Sequence, residues 1–354
     1  MSDETLLHIS LIPNIGPAVI KRLKDFSDAE IYGADEMAFI NVGVPRHQAT
    51  LLVSGLRDKN LLEQELVCAK KYGITVVTMA SPTYPDYLRA IHMPPPVLYV
   101  QGSVDVMAQS SIAMIGSRAA NAYGRAAVEL LVPSIIAEQW VVVSGGARGI
   151  DACVHQETLK GGGMTVAVLG SGLLRPYPRE HVALFTRIAE SGGAVISPFP
   201  LTMSPIAGNF PARNRVISGL TRASIVVQAA AKSGALITAL QALAEGREVG
   251  VVPGHITDPL SVGCHKLLRD GATPITSIDD VRALMGCNTV QRDVVISNAP
   301  KQQSVLEEAC RTPRSFDELL SLVNGDEQQL HQQLWDLQID GRIEQTNAGL
   351  WHCR

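Results

Sequence analysis

Hydrophobic residues recur along this chain with two different periods, and the change between them divides the sequence into regions. Up to about Pro82, Leu, Ile and Val recur every three to four positions between Gly and Pro interruptions, which predicts helices. From Val97 to about Leu284, short β-branched runs alternate with helical patterns. Nearly continuous apolar strands separated by helices predict an α/β domain with a parallel, Rossmann-like sheet covered on both faces.

The last part of the chain has the pattern of a small separate unit. SVLEEAC predicts one helix, Ser315 and Glu318 form a capping box for a second, and Leu330, Leu334 and Leu337 line a third. IDGRIEQTNAGLWHC then predicts a two-stranded hairpin, which completes a winged-helix pattern. The predicted organisation is a helical domain at 1–81, an extended Rossmann-like domain at 82–288, a linker at 289–303 and a winged-helix domain at 304–354.

Both terminal regions have features of nucleic-acid-binding modules. Leu11–Leu23 has the form of a helix-hairpin-helix with Pro17 at the start of its second helix, and Phe39–Leu52 is a weaker second copy. A plain helical packing module is the alternative. In the winged helix, the recognition helix carries Asp326, Glu327 and Asp336 against a lone His331, which favours contact with a partner over sequence-specific reading of DNA.

Composition limits the class of protein. The chain has 354 residues, of which 46% are hydrophobic and 18% charged, which is typical of a globular protein with a large core. Its six cysteines are scattered without CxxC spacing, so neither a disulfide framework nor a metal site is predicted. The acidic start and the lack of a long apolar run predict a cytoplasmic protein that does not enter a membrane. The net charge of −4 confines any nucleic-acid site to a local pocket.

Candidate chemistry collects where predicted strands end in glycine-rich turns. SGGARGID turns from a strand into a helix with Ser144, Gly145 and Gly146, and IAMIGSR does so with Gly116, Ser117 and Arg118. Such a turn aims backbone N–H groups and a positive helix end at one point. We therefore expect a phosphate-bearing ligand at the carboxyl edge of the sheet.

Two further clusters predict a nucleic-acid pocket. NFPARNRVISGL places Phe210 beside Arg213, Asn214 and Arg215, so a base can stack on the ring while arginines bind phosphates. AAAKSGALITA begins a helix with a possible phosphate cradle, but the spacing of a Walker A loop is absent, so ATP hydrolysis is not predicted. The residues of this possible cradle are Lys232, Ser233 and Gly234. Three isolated cations are predicted near the same edge of the sheet, Arg148, Arg179 and Arg247.

No catalytic group or cofactor is predicted. Asp151 and His155 lie four residues apart on one helix face, and we interpret them as a structural carboxylate–imidazole bond because no third ligand or nucleophile accompanies them. The fingerprint of a nicotinamide dehydrogenase, GxGxxG with its acidic ribose partner, is missing.

Taken in order, the motifs resemble those of the DprA/Smf family of DNA-processing proteins. The resemblance covers about Pro82 to Ile278, with looser agreement in a SAM-like or helix-hairpin-helix N-terminus and a C-terminal winged helix. The matching segments are YPDYLRAI, IGSRAANAYG, SGGARGIDACVH, TVAVLGSGLLRPYP, FPARNRVISGL, KSGALITA, GREVGVVPG and GCHKLLRDGA.

The resemblance implies a non-enzymatic protein that binds single-stranded DNA without sequence preference, protects it, dimerises and loads the RecA recombinase in natural transformation and homologous recombination. It assigns DNA binding to Arg118 and to the FPxRNR, KSG and GR segments. The chain departs from the family at Pro198 and Gln228, where members often have glutamate. This puts in doubt any activity that needs a carboxylate at either position.

The alternative is a Rossmann-like nucleotide-binding protein or a nucleoside-monophosphate hydrolase. Related hydrolases carry a PGGxGTxxE motif, whereas the corresponding segment here is PGHITDP, without the GT pair or the glutamate. Single-stranded DNA binding is therefore the leading hypothesis.

Overall fold

The computed structural model describes residues 1–287, 305–323, 327–339, 341–346 and 349–353. The chain divides into two compact units, Met1–Asn288 and Thr289–Arg354. The predicted linker at 289–303 lies outside the described residues. The predicted domain boundaries stay predictions.

The first unit contains an α/β domain preceded by a group of helices. Its helices are α1 (Asp3–Leu11), α2 (Pro17–Arg22), α3 (Asp28–Gly33), α4 (Glu36–Asn41), α5 (Arg46–Arg57), α6 (Lys59–Lys71), α7 (Asp86–Arg89), α8 (Ala122–Ala137), α9 (Ile150–Lys160), α10 (Val182–Glu190), α11 (Asn209–Leu220), α12 (Gly234–Ala244), α13 (Val262–Arg269) and α14 (Ile278–Leu284). Its strands are β1 (Thr75–Thr78), β2 (Val97–Gly102), β3 (Ser111–Gly116), β4 (Val141–Ser144), β5 (Thr165–Val168), β6 (Ala194–Ser197), β7 (Ala223–Gln228), β8 (Glu248–Val251) and β9 (Thr273–Pro274). Short 3-10 helices span Asp105–Ala108, Arg179–His181 and Pro259–Ser261.

The strands of this unit form one sheet in the order β1-β2-β6-β5-β4-β3-β7-β8-β9. The pairs from β6 to β9 are parallel, whereas β2 pairs antiparallel with both β1 and β6. The prediction of a parallel sheet is therefore wrong for Val97–Gly102, which lies at the antiparallel edge. The chain runs outward from β3 through β4 and β5 to β6, then returns to place β7 on the other side of β3. The topological switch point, where ligands of such sheets bind, therefore lies between the carboxyl ends of β3 and β7.

The central strands are buried on both faces, which confirms the prediction from their continuous apolar runs. In β3, Ile112 and Met114 face one hydrophobic core while Ala113 and Ile115 face the other. Helices α8, α9 and α14 supply the first core, and α11, α12 and α13 supply the second. Each face thus removes apolar surface from water, the main stabilising contribution in a domain of this kind.

The N-terminal helices follow the predicted pattern up to Lys71. The prediction of helix as far as Pro82 is wrong over Thr75–Thr78, because these β-branched residues pair with β2 and form an edge strand of the sheet. Helix α2 begins at Pro17, as predicted, and α4 and α5 form a second pair of helices joined by a short turn. Helices are present at both predicted hairpins, and their role in DNA binding stays a prediction.

The second unit has the predicted sequence of elements. They are α15 (Val305–Ala309), α16 (Phe316–Leu320), a 3-10 turn (Ser321–Val323), α17 (Glu327–Ile339), β10 (Ile343–Gln345) and β11 (Trp351–Cys353). The capping box of Ser315 and Glu318 is confirmed, and the three predicted leucines of α17 are buried. Asp326 lies outside the described residues. The His331 ring packs on Phe316 at a centroid distance of 4.7 Å. The assignment of this unit as a winged helix stays a prediction.

None of the helices in the described ranges is long and apolar enough to cross a membrane.

Candidate functional site

A cleft of 580 Å³ opens at the switch point between β3 and β7. It is bounded by the turn after β3, the first turns of α11 and the turn that leads into α12. Its lining residues are Ile115, Gly116, Ser117, Arg118, Ala119, Ala147, Asp151, Ala207, Phe210, Pro211, Arg213, Asn214, Ile217, Ala230, Lys232, Ser233, Gly234, Ala235, Ile237, Thr238 and Leu260. The structure therefore brings together three segments that the sequence predicted as one site.

The floor of the cleft is made where the two glycine-rich turns meet. The Ile150 N–H donates to the Ser117 carbonyl at 3.0 Å. Gly149 has a φ of +78°, and a Cβ there would collide with that carbonyl oxygen. A glycine is needed at this position because it permits both the positive φ and the close approach. The turn that carries Arg118 is thus fixed to the start of α9.

Asp151 occupies the place where the sequence predicts a bound anion. Its carboxylate accepts backbone N–H groups from Gly116 at 3.4 Å, Gly145 at 3.2 Å and Ala147 at 3.4 Å. An internal carboxylate therefore takes these donors in the structure, and the phosphate-binding role of the Gly116 and Gly145 N–H groups stays a prediction. An acid in the first turn of a helix after a glycine turn is the sequence signal for such a bond.

Arg213 is the cation that balances this carboxylate. It is only 5% exposed, and its Nη1 donates to the carbonyls of Gly145 and of Val168, the latter at 2.6 Å, while Nε donates to Asn214 Oδ1 at 3.0 Å. Burial lowers the pKa of the Arg213 guanidinium to about 10, and Asp151 opposes that shift. Burial likewise raises the pKa of the Asp151 carboxyl, against the effect of Arg213. Arg213 therefore holds the turn at Gly145 in place, and its predicted contact with a ligand stays a prediction.

Arg118, Phe210 and Lys232 form the accessible part of the cleft. Arg118 is exposed and lies over the half-buried Phe210 ring, with 5.4 Å from Cζ to the ring centroid. Tyr177 meets the same ring edge-on at 6.1 Å. Lys232 is exposed on the opposite wall, where Ser233 caps α12 by accepting the Ala235 N–H at 3.3 Å. Two exposed cations therefore flank an aromatic face.

The remaining predicted residues of the SGG segment lie below or beside the cleft. The Ser144 hydroxyl is fully buried and donates to the Met114 carbonyl at 2.7 Å, and its contact with a ligand stays a prediction. Gly146 is buried and its carbonyl accepts from His181 Nδ1 at 2.9 Å. Arg148 is exposed at the rim but forms an ion pair with Glu180, which offsets its charge.

Two predicted arginines line other cavities. Arg179 is exposed in a cavity of 390 Å³ beside Tyr177, together with Arg175, which the sequence analysis missed. Arg215 lines a groove on the opposite side of α11 from Arg213. Residues two apart on a helix are separated by about 200° around its axis, so the adjacent arginines of this motif cannot share one pocket.

Gln228 sits at the switch point itself, beside the end of β3. Its Nε2 donates to Asn121 Oδ1 at 2.8 Å and to Asp258 Oδ2 at 3.5 Å. The Asn121 amide also donates to that Asp258 oxygen at 2.9 Å. The glutamate expected at position 228 is thus replaced by an amide, while Asp258 brings a carboxylate to the same place from a different loop.

Arg247 lies at the wrong edge of the sheet for this site. It precedes β8, whereas the cleft is at the carboxyl ends of the strands, and its Nη2 donates to the Tyr87 carbonyl at 2.9 Å. Its guanidinium also stacks on the Tyr87 ring at 4.6 Å. Strand direction therefore places Arg247 at the opposite end of the sheet from the cleft, and its predicted role in ligand binding stays a prediction.

We expect Arg247→Ala to leave nucleic-acid affinity unchanged within about twofold while lowering the free energy of unfolding by about 1 kcal/mol, since a hydrogen bond and a cation–π contact are lost. Anisotropy titration and urea unfolding of the same preparation check the two effects. A large loss of affinity in a folded variant would contradict this placement.

The predicted bond between Asp151 and His155 is wrong. His155 is fully buried, and its Nδ1 lies 2.8 Å from Thr165 Oγ1. Because the Thr165 hydroxyl itself donates to the Val142 carbonyl at 2.6 Å, His155 Nδ1 carries the proton. Within the described residues, Nε2 has no hydrogen-bond partner. Burial lowers the pKa of His155 from 6.5 to about 3.

This buried histidine makes stability depend on pH. His155 takes up a proton near pH 6.5 in the unfolded chain but stays neutral at that pH in the folded chain. The part of the folding free energy that depends on the neutral His155 ring is therefore fully present above pH 6.5 and is lost as the pH falls towards 3. We expect His155 to reduce the free energy of unfolding by about 2 kcal/mol between pH 7 and pH 5. Urea unfolding of His155→Asn, which retains a donor near Thr165, is expected to show a flatter pH profile. Parallel profiles would contradict the assignment.

Comparison with known proteins supports the family resemblance seen in the sequence motifs. A family model described as DNA recombination-mediator protein A matches residues 75–286. The chain is similar to protein Smf of Escherichia coli, with 37% identity over 247 residues that cover 70% of this chain and 66% of that protein.

Two solved structures share the fold. The DNA processing protein A of Streptococcus pneumoniae superposes with a TM-score of 0.71 at 30% identity, covering 80% of this chain and 98% of that one. The Helicobacter pylori protein of the same name, whose structure describes its single-stranded DNA binding mode, gives a TM-score of 0.53 at 26% identity, covering 59% and 93%.

Proposed function

Since the chain belongs to the DNA recombination-mediator protein A family, also called DprA/Smf, we propose that it binds single-stranded DNA in the switch-point cleft. The observation that carries this proposal is the exposed Arg118 guanidinium over the Phe210 ring, with Lys232 across the same cleft. An aromatic face between cations suits unpaired nucleotides, because bases stack on rings while cations bind the phosphates. The similar H. pylori protein binds single-stranded DNA.

Binding is sequence-independent in this proposal. Stacking on Phe210 uses the face that every base has, and the charges of Arg118 and Lys232 address the backbone. A duplex hides its base faces, so we expect single strands to bind more tightly. The cleft needs no metal, cofactor or catalytic residue for this role.

Further parts of the proposal extend the family's role as a recombination mediator. We propose that the protein protects the bound strand and loads the RecA recombinase onto it, and that it acts as a homodimer in natural transformation and homologous recombination. The N-terminal helices serve in this proposal as a SAM-like or helix-hairpin-helix module and the C-terminal unit as a winged helix. Cross-linking of the full chain tests the homodimer, and co-sedimentation of the full chain with RecA tests the RecA contact.

The direct test is fluorescence anisotropy of labelled oligo-dT and of a duplex of equal length, across a salt series with the full chain. Tighter binding of the single strand, weakening as salt rises, supports the proposal because phosphate contacts release counterions. Equal binding of the two, or binding of neither, would overturn it and make a screen of nucleotides and nucleoside monophosphates the next measurement.

A further inference from the structure

A second groove lies on the other side of α11 from the cleft. It has a volume of 460 Å³ and runs between the turn at Pro13–Gly16, the connector before β2 and the loop after β6. Its walls are mostly apolar and include Phe199, Met203 and several prolines. We call it the α11 groove.

The first turns of α11 divide this groove from the switch-point cleft. Asn209 and Ala212 line the groove, whereas Phe210, Pro211 and Arg213 line the cleft. A helix is about 10 Å across with its side chains, so only this width separates the two cavities. Asn209 and Phe210 are consecutive in the chain, so the two cavities meet at the N-terminal end of α11.

The groove carries polar groups suited to a nucleotide. Asn209 is 8% exposed, and its Nδ2 donates to no acceptor in the described part of the chain. Buried amide donors are seldom left unpaired, and this nitrogen, which has almost no exposed surface, can reach an acceptor in the groove when the Asn209 side chain rotates. Arg215 lies farther along the same wall. Among the described residues, no Asp or Glu lines the groove, and Pro198 stands where the family resemblance leads one to expect glutamate.

We propose that the α11 groove is a second nucleotide subsite, which holds a nucleotide of the same DNA strand that occupies the switch-point cleft. This inference rests on the proposed function. A base lies against the apolar wall near Phe199, the Asn209 amide turns into the groove to pair with an acceptor on the base or sugar, and Arg215 binds the phosphate. The positive charge of Arg215 favours a phosphodiester as the occupant of the groove. An apolar peptide without acidic residues would offer no partner to Arg215.

The experiment uses the full chain and labelled oligo-dT of increasing length, from about 4 to about 16 nucleotides, in a salt series. Short strands fill the cleft alone, and longer strands also reach the groove. For Arg215→Ala we expect unchanged affinity for the shortest strand and about tenfold weaker binding of the longest, as for the loss of one charge-assisted hydrogen bond. The logarithm of the affinity falls linearly with the logarithm of the salt concentration. For the long strand we expect the magnitude of this slope to decrease by about 0.7, which corresponds to one phosphate contact on a single strand.

Companion variants separate binding from folding. Arg215→Lys restores the salt slope, because the charge is retained. Pro198→Glu weakens only the long strand, because it introduces a carboxylate beside the phosphate. Arg57→Ala, an exposed arginine of α5 outside the groove, changes neither strand.

The outcomes are distinct. If Arg215→Ala and Pro198→Glu bind every length as the wild type does, the second subsite is wrong while the cleft proposal stands, and a polypeptide becomes the candidate occupant of the groove. If the wild type binds no length of strand, the proposed function itself fails.

Discussion

Replacement of Arg118 by alanine is expected to weaken binding of oligo-dT by roughly 10- to 100-fold. Arg118 is the exposed guanidinium beside the Phe210 ring, so the substitution removes the proposed phosphate contact next to the ring on which a base is proposed to stack. A charge-assisted hydrogen bond contributes about 1.5–3 kcal/mol, and each 1.4 kcal/mol is a factor of ten in affinity. Anisotropy titration at fixed salt measures the loss.

A matched control is available on the neighbouring helix. Arg125 is exposed on α8 and lines none of the cavities described above, so Arg125→Ala removes the same charge from the same unit. We expect it to change affinity less than about twofold, since long-range attraction is screened within about 10 Å at moderate salt. Equal losses in the two variants would show that net charge, not the cleft, drives binding.

Replacement of Asp151 by alanine is expected to lower the free energy of unfolding by about 3–5 kcal/mol. The change leaves the buried Arg213 guanidinium without its counter-charge and the N–H groups of both glycine turns without their acceptor. Removing the opposite charge near a buried cation has a large effect, because the cation remains desolvated without compensation. Urea unfolding of the full chain, followed by circular dichroism, measures the change.

A double-mutant cycle shows whether the two groups act as a pair. With Arg213→Met combined with Asp151→Ala, the joint loss is expected to be smaller than the sum of the single losses by about 1–3 kcal/mol. Asp279→Ala provides a control, because its ion pair with Arg282 lies at the surface and contributes less than about 1 kcal/mol. Additive losses in the cycle would show that Asp151 and Arg213 stabilise the fold independently.

Residues in the FPARNR segment show the limits of reading a site from sequence. The composition of the segment indicated nucleic-acid binding, and the structure does bring Phe210 into the cleft with Arg118 and Lys232. It divides the two arginines, however, because positions 213 and 215 face opposite sides of α11. Which one is buried depends on the packing of that helix against the turn at Gly145, a contact between residues far apart in the chain.

The sequence alone predicted the parallel strands β3 to β8, the sheet edge at which the cleft lies and the segments that line it, because apolar runs record burial and strand ends record direction. Only the tertiary structure decided how each polar group is used. Asp151 took the glycine N–H groups predicted for a phosphate, and Arg247 lay at the opposite edge. Local patterns specify which groups a turn presents. Which buried charge binds those groups depends on distances between residues that are far apart in the sequence, and these distances are fixed only in the folded chain.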